Sequence, residues 1–462
     1  MEKVVINSNS STSGSNAAII SLLKTCAKNK DLNEGIKLHG DIVRKGLLLK
    51  DHFVGNTLVN MYAKCGELTK AQEVFNELPI QDIVSWNVLI SGYAHYGHSQ
   101  EAINCFEQMK LKRGLSPNSV TFVCALKACG NLGDCVLGQE IHVEIIKGKL
   151  LTNELVGNAL VNMYAGCGLL GKSREVFDEL SVHNVVSWNA LITAYSNNQC
   201  EEDAFHCFEQ MQLCGLSPDG VTFLCILKAC GNVGSSTKGQ EIHAQIVGGG
   251  FLGKDVAIGN ALVDMYTRSG TLTKAQEVFN DLPTQNVIAW NALIDGYSNH
   301  GHDEKAWHCF QQMRLHGLLP DIVTFSCVLK ACASAKASGK GQEIHAQIVR
   351  NVSLHKDVIV GNALLDMYAK SGMLSKAQEL FNELKFRDVV TWNVLIGGYV
   401  QHGHGEEAMN RFEKMQQGYI SPNWITFLYL LKAYYITRAM NKVHDILSRI
   451  LRDGFLEYNN II

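Results

Sequence analysis

The sequence has no apolar run long enough to cross a membrane and almost no net charge. No uninterrupted stretch reaches the roughly 18 apolar residues that a transmembrane helix requires. The formal net charge of −3 argues against a strongly basic nucleic-acid protein, so any nucleic-acid binding must depend on local positive charge. Apolar residues still make up 46% of the chain and charged residues 18%, which excludes a disordered protein.

The N-terminus lacks the features of a targeting signal. Its first sixteen residues, MEKVVINSNSSTSGSN, contain no apolar core segment, and the first arginine in the chain is Arg44. A secretory signal would contain an apolar core segment, and a transit peptide would be rich in arginine. We expect residues 1–15 to be disordered, and we expect a cytoplasmic protein unless the natural N-terminus lies upstream.

The fifteen cysteines include no C-x-x-C pair. Most of them recur in equivalent contexts, such as Cys129, Cys230 and Cys332 at the end of LKAC. We interpret them as small buried side chains in a reducing compartment rather than as disulfide partners or metal ligands. The sequence also contains no G-x-x-x-x-G-K-(S/T) phosphate loop and no G-x-S-x-G nucleophile turn.

The sequence is, however, strongly repetitive. VGNTLVNMY at 54–62 returns 102 residues later as VGNALVNMY, then as IGNALVDMY and VGNALLDMY, and WN(A/V)LI recurs at the same interval. Each 102-residue stretch divides into three units of 31 to 36 residues, and each unit has the apolar spacing of two helices around a turn. A helix pair of this size cannot bury its apolar face alone, but stacked pairs can.

This pattern predicts an all-α fold, a right-handed α-solenoid of about thirteen helix-turn-helix repeats. The array covers residues 16–458 and is followed by a short tail, 459–462. The last repeat departs from the pattern, since Tyr434 replaces the cysteine of LKAC and the segment KVHDILSRILRD is more charged. Such a change is typical of a terminal repeat that faces water.

The repeated motifs resemble the S, P and L repeats of plant-type pentatricopeptide repeat proteins of the PLS subclass. GNALVDMY…KAQEVFN resembles the S repeat, WNALIDGY…CFQQM…PD the P repeat, and VTF…VLKAC…IHAQIV the L repeat. The units follow the order L and then four rounds of S-P-L, at 16–51, 52–153, 154–255, 256–357 and 358–458. Because the array continues almost to Ile462, we expect the chain to lack the C-terminal E and DYW editing domains of many such proteins.

The resemblance implies a sequence-selective protein that binds single-stranded RNA with one base per repeat. In the family, the fifth and last residues of a repeat read the base. The corresponding pairs in the S and P units here are Asn56 with Asp82, Asn87 with Asn118, Asn158 with Asn184, Asn189 with Asp219, Asn260 with Asn286, Asn291 with Asp321, Asn362 with Asp388, and Asn393 with Asn423. By the family code, Asn with Asp reads uridine and Asn with Asn prefers cytidine. The implied target is pyrimidine-rich, U-C-x-C-U-x-C-U-x-U-C, where x marks an L unit.

Each of these assignments has a structural alternative. Asn inside a helix costs about 0.5 kcal/mol relative to Ala, so eight copies require a reason. That reason is either base reading or a side-chain hydrogen bond to an adjacent unit. The last residues immediately precede a helix, so they can equally serve as N-caps, and the two roles can coexist.

Two further sets of residues belong to the predicted RNA-binding face. The family places an apolar second residue against the base, which corresponds here to the β-branched Val84, Val186, Ile288 and Val390. The L units carry a lysine one helical turn after the fifth position, on the same face of the helix. We expect Lys127, Lys228 and Lys330 to neutralise RNA phosphates, with ordinary solvated lysines as the alternative.

We expect no enzyme activity, no cofactor and no metal. His142-Val143-Glu144 matches the H-x-E of zinc-dependent deaminases, but no C-x-x-C accompanies it. The resemblance implies a monomeric, non-catalytic specificity factor for RNA processing or C-to-U editing in a mitochondrion or chloroplast. A deaminase or another editing-complex protein would then act in trans. The alternatives are a protein-binding helical-repeat scaffold, or a truncated product of a longer editing factor.

Overall fold

A computed structural model describes residues 10–438, apart from residue 113 and residues 351–356. Within these ranges all regular secondary structure is helical, and no β-strand occurs. The prediction of an all-α helical-repeat solenoid is therefore confirmed. The second half of the last predicted repeat and the tail 459–462 lie outside the described residues.

The helices follow one another with short turns, as the paired pattern in the sequence predicts. Over the described ranges they are α1 (Ser10–Asn29), α2 (Leu32–Arg44), α3 (Leu47–Lys50), α4 (His52–Cys65), α5 (Leu68–Glu77), α6 (Ile83–His95), α7 (Ser99–Leu111), α8 (Ser119–Leu132), α9 (Cys135–Lys147), α10 (Glu154–Gly166), α11 (Leu170–Glu179), α12 (Val185–Asn197), α13 (Glu201–Leu213), α14 (Gly220–Val233), α15 (Ser236–Gly248), α16 (Val256–Arg268), α17 (Leu272–Asp281), α18 (Val287–Asn299), α19 (Asp303–Leu315), α20 (Ile322–Ser334), α21 (Ser338–Arg350), α22 (Val358–Lys370), α23 (Leu374–Glu383), α24 (Val389–Gln401), α25 (Gly405–Gln417) and α26 (Trp424–Thr437).

The chain forms two compact units, residues 1–229 and 230–462. In the first unit the leading helices of consecutive repeats, α4, α6, α8, α10 and α12, lie side by side, and each packs against its own second helix. In the second unit α16, α18, α20, α22, α24 and α26 also lie side by side, and each of them except α26, whose repeat continues outside the described residues, packs against its own second helix. Each leading helix therefore buries apolar surface against its partner helix and against the next repeat.

The glycine of each GNAL stretch makes room for a neighbouring leucine. A Cβ atom placed on Gly259 would lie 2.5 Å from Leu282 Cδ2, and one on Gly157 would lie 2.3 Å from Leu180 Cδ2. The leucine is the residue that ends the second helix of the same repeat, so the contact closes the helix pair. The repeated glycine is thus a packing requirement of the fold.

An aromatic pair joins each predicted S repeat to the P repeat that follows. Phe279 on α17 and Trp290 on α18 are buried, with ring centroids 4.5 Å apart in an edge-to-face arrangement. The same arrangement recurs at 4.7 Å between Phe75 and Trp86. Edge-to-face packing places the positive ring edge against the negative ring face, so these contacts fix the relative position of adjacent repeats.

Two local features differ from the sequence-based expectation. Helix α1 begins at Ser10, so residues 10–15 of the segment expected to be disordered are helical. Extending a helix that has already formed costs little, because propagation is much easier than nucleation. The first repeat also contains a third short helix, α3, in which Leu48 is buried after Gly46 adopts a positive φ of 61°.

Candidate nucleic-acid interface

The eight predicted fifth-position asparagines all lie on leading helices. Seven of them are buried, with exposed fractions between 5% and 8%, and Asn362 is half-buried. The buried members are Asn56, Asn87, Asn158, Asn189, Asn260, Asn291 and Asn393. A buried amide must find hydrogen-bond partners, so the contacts of these side chains determine what each can still offer to a ligand.

Each predicted last residue caps the helix that follows it. Asp82 Oδ1 accepts a hydrogen bond from Ser85 N at 2.8 Å, and Asn118 Oδ1 accepts one from Thr121 N at 3.1 Å. The equivalent cap is made by Asn184, Asp219, Asn286, Asp321, Asp388 and Asn423. The N-cap role considered from the sequence is therefore real, and it leaves one side-chain oxygen or amide group of each residue for a second contact.

In five of the eight pairs the asparagine also donates to the last residue of its repeat. The bonds run from Nδ2 of Asn56 to Asp82, Asn87 to Asn118, Asn189 to Asp219, Asn291 to Asp321 and Asn393 to Asn423, with distances of 3.0 to 3.1 Å. The last residue begins the next leading helix, so each bond links two adjacent repeats. The two residues that the sequence predicted to act on one base are in direct contact in these pairs.

The other three pairs lack this bond. Within the described ranges no hydrogen bond joins Asn158 to Asn184, Asn260 to Asn286 or Asn362 to Asp388. The amide nitrogen of Asn184 instead donates to Glu154 Oε2 at 2.6 Å. The pairs are therefore not equivalent, although the fifth residue is Asn in all of them.

A threonine of the next repeat satisfies the amide oxygen of the P-repeat asparagines. Thr222 Oγ1 donates to Asn189 Oδ1 at 2.6 Å, and Thr324 Oγ1 donates to Asn291 Oδ1 at 2.6 Å. The same bond joins Thr121 to Asn87 and Thr426 to Asn393, each at 2.7 Å. The inter-repeat hydrogen bond considered as an alternative from the sequence is thus present. Because the asparagine donates one N–H to the last residue of its repeat, the second N–H of each amide is still available for a ligand.

Hydrogen bonds favour the charged form of three last-position aspartates. Burial alone would raise the pKa of Asp219, but hydrogen bonds from Thr222 and Asn189 outweigh it and hold that pKa below its ordinary value. Asp321 is in the same situation, and a hydrogen bond from the backbone N–H of Thr391 is the main cause that lowers the pKa of Asp388. At neutral pH these carboxylates are acceptors only, whereas an asparagine at the same position also presents an NH2 group.

The predicted second-position side chains are unusually exposed for aliphatic residues. Val84, Val186, Ile288 and Val390 have exposed fractions of 53%, 57%, 63% and 50%. Sequence reasoning missed further members of this set in the S and L repeats, namely Phe53, Leu155, Ile359, Val120, Val221, Val323 and Ile425. These residues occupy the same second position and are apolar, and this pattern in the sequence could have identified them.

Clefts between leading helices bring these groups together. In the first unit, Val84, Asn87, Asn118 and Val120 line one cleft of ≈ 400 Å³ between α4, α6 and α8. In the second unit a cleft of ≈ 220 Å³ is lined by the equivalent Val390, Asn393, Asn423 and Ile425. Each cleft therefore combines an amide pair with two exposed aliphatic side chains from consecutive repeats.

The three predicted phosphate lysines are all exposed but have different partners. Lys127 lies in a cleft of ≈ 460 Å³ with Leu155 and Asn158, and it has no ion-pair partner among the described residues. Lys228 Nζ donates to the neutral Asn197 Oδ1 at 2.7 Å. Lys330 lies 3.6 Å from the carboxylate of Asp295, so its charge is partly neutralised.

The cysteines of the described residues form no disulfides, and several of them are buried. All fifteen cysteines are free thiols, and burial raises the pKa of Cys129 and Cys332 to about 12, which keeps them protonated. No group of three His, Cys, Asp or Glu residues in the described ranges is arranged to hold a metal ion. None of the described helices combines the length and apolar character needed to cross a membrane.

Comparison with known families agrees with the repeat architecture. A model described as "PPR repeat family" matches residues 81–131, 183–232, 285–334 and 387–435. A second model, described as "PPR repeat", matches residues 56–81, 158–185, 260–287 and 362–389. The fold and its regularly repeated surface define an α-helical repeat protein. The chain belongs to the pentatricopeptide repeat family.

Individual relatives support the same membership. A chloroplastic pentatricopeptide repeat-containing protein of Arabidopsis thaliana is 36% identical over 412 residues, covering 89% of this chain and 50% of the relative. A mitochondrial one is 36% identical, covering 98% and 44%. A third from the same plant is 35% identical, covering 89% and 67%. The chain spans about half the length of the first two relatives.

Among solved structures, the chain is similar to the crystal structure of the pentatricopeptide repeat protein PPR10 in complex with an 18-nt psaJ RNA element. The TM-score is 0.48 and the sequence identity is 19%, and the alignment covers 95% of this chain and 75% of the PPR10 chain.

Proposed function

We propose that the protein binds single-stranded RNA with one base per S or P repeat, without catalysis of its own. The observation that carries this proposal is the cleft in which Val84, Asn87, Asn118 and Val120 meet. A nucleobase is flat and apolar on its faces and polar at its edge. The two valines match the faces and the amide pair matches the edge.

The last residue gives a physical basis for choosing between pyrimidines. The Watson–Crick edge of uracil presents an N–H donor at N3, and cytosine presents an acceptor there. Asp219 and Asp321 are ionised acceptors, which suits uracil. Asn118 uses its oxygen for Asn87 and for the helix cap, so its remaining NH2 suits cytosine. These preferences give the target U-C-x-C-U-x-C-U-x-U-C, read from the amino-terminal repeat.

Positive charge supports backbone binding at a few places. Lys127 shares a cleft with Asn158, so an RNA strand whose base lies at Asn158 would pass near its ammonium group. Lys228 donates its hydrogen bond to a neutral amide and not to a carboxylate. With so few phosphate contacts, we expect a weak dependence of binding on salt and a large share of the affinity from the bases.

The names of the relatives support the cellular role that we propose. Relatives of this chain are named chloroplastic or mitochondrial, and we place this protein in one of these organelles. There it would act as a monomeric member of the PLS subclass that selects a site for RNA processing or C-to-U editing. A deaminase or another editing-complex protein would supply the chemistry in trans.

Binding to defined RNA tests the proposal. Purified protein is titrated against labelled RNA carrying U-C-x-C-U-x-C-U-x-U-C, against oligo(A), and against the DNA equivalent, over a salt series. We expect tight binding to the pyrimidine RNA alone, and a loss of about tenfold or more for Asn291→Ala. Asn280→Ala is the matched control, because the Asn280 side chain is exposed and accepts its hydrogen bond from Gln276 of the same helix, α17.

The opposite outcome is equally clear. Equal affinity for all three strands, or binding to none, would refute the base-reading role. The asparagines would then be purely structural links between repeats, and the search for a ligand would turn to protein partners.

A further inference from the structure

Three of the eight asparagines have a buried amide oxygen without a hydrogen-bond partner. The oxygen atoms are Oδ1 of Asn56, Asn158 and Asn260, and no described residue donates to any of them. These side chains are 6% to 8% exposed, so the oxygen is shielded from solvent as well. An unpaired buried acceptor loses its hydrogen bonds to water without replacement, so this difference from the other five asparagines requires an explanation.

The explanation lies in the third residue of the following repeat. Where that residue is threonine, its hydroxyl donates to the asparagine oxygen, as Thr324 does to Asn291 and Thr391 does to Asn362. All five threonine junctions make this bond, at 2.6 to 2.9 Å. The three junctions without it carry Ser85, Ser187 and Ala289.

Serine at this position does not donate to the asparagine oxygen, because its hydroxyl adopts a different orientation. The hydroxyls of Ser85 and Ser187 turn to the backbone oxygen of their own cap residue, Asp82 and Asn184, each at 2.8 Å. Threonine has a second heavy atom on Cβ, which restricts χ1. In the five threonine junctions the hydroxyl lies within hydrogen-bond distance of the asparagine across the repeat boundary. Ala289 has no hydroxyl at all.

We propose that the third residue of the following repeat is a specificity-determining residue, because it fixes the orientation of the amide that reads the base. This inference rests on the proposed RNA-binding function. A threonine that donates to Oδ1 holds the oxygen inward, so Asn87 can present only its remaining N–H to a base. Without that bond, a rotation of 180° exchanges donor and acceptor at the same place.

The effect is confined to two repeats. Asn56 lacks a threonine but donates to both carboxylate oxygens of Asp82, at 3.0 and 3.1 Å, and a rotated amide would place its oxygen against that negative charge. Asn158 and Asn260 have neither a threonine nor an aspartate. Their repeats therefore accept more than one base, whereas the remaining six S and P repeats discriminate.

The sharpest test introduces discrimination between bases at Asn260. The variant Ala289→Thr adds the missing hydroxyl, and Ala289→Val adds the same branched shape without it. Each protein is titrated against RNAs that differ only at the seventh base of U-C-x-C-U-x-C-U-x-U-C. We expect the ratio of dissociation constants between bases to change by about threefold to tenfold in Ala289→Thr and to stay at the wild-type value in Ala289→Val.

The reverse experiment uses Thr121, next to Asn87, because this repeat ends in Asn118 and no aspartate holds the amide. Thr121→Val removes the hydroxyl, and Thr121→Ser keeps it but removes the branching methyl. The inference predicts that both reduce discrimination at the second base, because the serine hydroxyl should turn to the Asn118 carbonyl. Wild-type-like discrimination in Thr121→Ser, with an intact circular dichroism melt, would show that only the presence of a hydroxyl matters and would overturn the assigned mechanism.

The outcomes separate this inference from the proposed function. If wild-type protein prefers pyrimidine RNA but Ala289→Thr and Ala289→Val behave alike, the third residue has no role in specificity while base reading stands. If the wild-type protein shows no base preference at any position, both proposals fail.

Discussion

The Nδ1 atom of His142 lies 2.8 Å from the hydroxyl oxygen of Tyr164, and the contact joins the second helix of one repeat to the leading helix of the next. Equivalent contacts are made by His39 at 2.8 Å and by His243 at 3.0 Å. Burial is the main cause that lowers the pKa of all three histidines below their ordinary value. The neutral imidazole is therefore the form that the folded protein favours.

The histidines predict a dependence of stability on pH. Their pKa is lower in the folded than in the unfolded chain, where it is about 6.5. Their contribution is complete above that value and is lost as the pH falls through it toward the folded pKa. We expect the melting temperature to fall between pH 7.5 and 5.5, and to fall less in a triple His→Gln variant of His39, His142 and His243. An equal fall in both proteins would show that other groups are responsible.

The aromatic contact between repeats predicts a graded loss of stability. Trp290→Ala removes a buried indole and should cost about 3–5 kcal/mol in free energy of unfolding. Trp290→Phe should cost much less than its lost volume suggests, because it also removes an indole Nε1–H that has no acceptor among the described residues. Chemical denaturation measures both, with the exposed Leu315→Ala as a control. Equal losses for Phe and Ala would contradict this account.

The lysines predict different effects on salt dependence. If Lys127 contacts a phosphate, Lys127→Ala should lower the slope of log K against log salt by about 0.7, as expected for one contact to a single strand. Lys330 is paired with Asp295, so Lys330→Ala should change the slope much less. Titrations between about 50 and 200 mM salt measure both slopes. Identical changes would mean that the ion pair does not reduce the availability of Lys330.

The last residue predicts a change of base preference. Asp219→Asn replaces an ionised acceptor with a group that offers an NH2, so the preference at the fifth base should move from uridine toward cytidine by about tenfold. Asp178→Asn removes the same charge from an exposed ion pair with Arg174 and serves as the control. Competition binding with RNAs that differ only at the fifth base measures this preference. A uniform loss of affinity for both RNAs would indicate a purely electrostatic role.

The helical fold was predictable because the signal recurs along the chain. One copy of GNAL or WNAL would have been ambiguous, but copies at a fixed interval predict both the helices and their stacking. Features that occur once were not predictable. Helix α3 depends on a positive φ at Gly46, and the start of α1 at Ser10 depends on extension of a neighbouring helix.

The candidate site was predictable in its positions but not in its contacts. The family resemblance identified Asn189 and Asp219 as a pair, and the structure brings them within 3.0 Å. A hydrogen bond to an adjacent repeat was considered, but Thr222 was not identified as its donor, since it lies 33 residues from Asn189 in the sequence. The sequence already shows threonine at 324 and alanine at 289. The consequence of this difference could not be predicted without the structure, in which the Thr324 hydroxyl donates to Asn291 Oδ1.

The helix caps limit how such an array can acquire a new RNA target. A last residue such as Asn423 begins the next helix with the same side chain that lines the cleft. A mutation there must therefore preserve helix initiation while it alters base choice, and few side chains other than Asp, Asn, Ser and Thr do so without cost. Under the proposed function, the set of bases that evolution can select at these positions is restricted by folding before it is restricted by recognition.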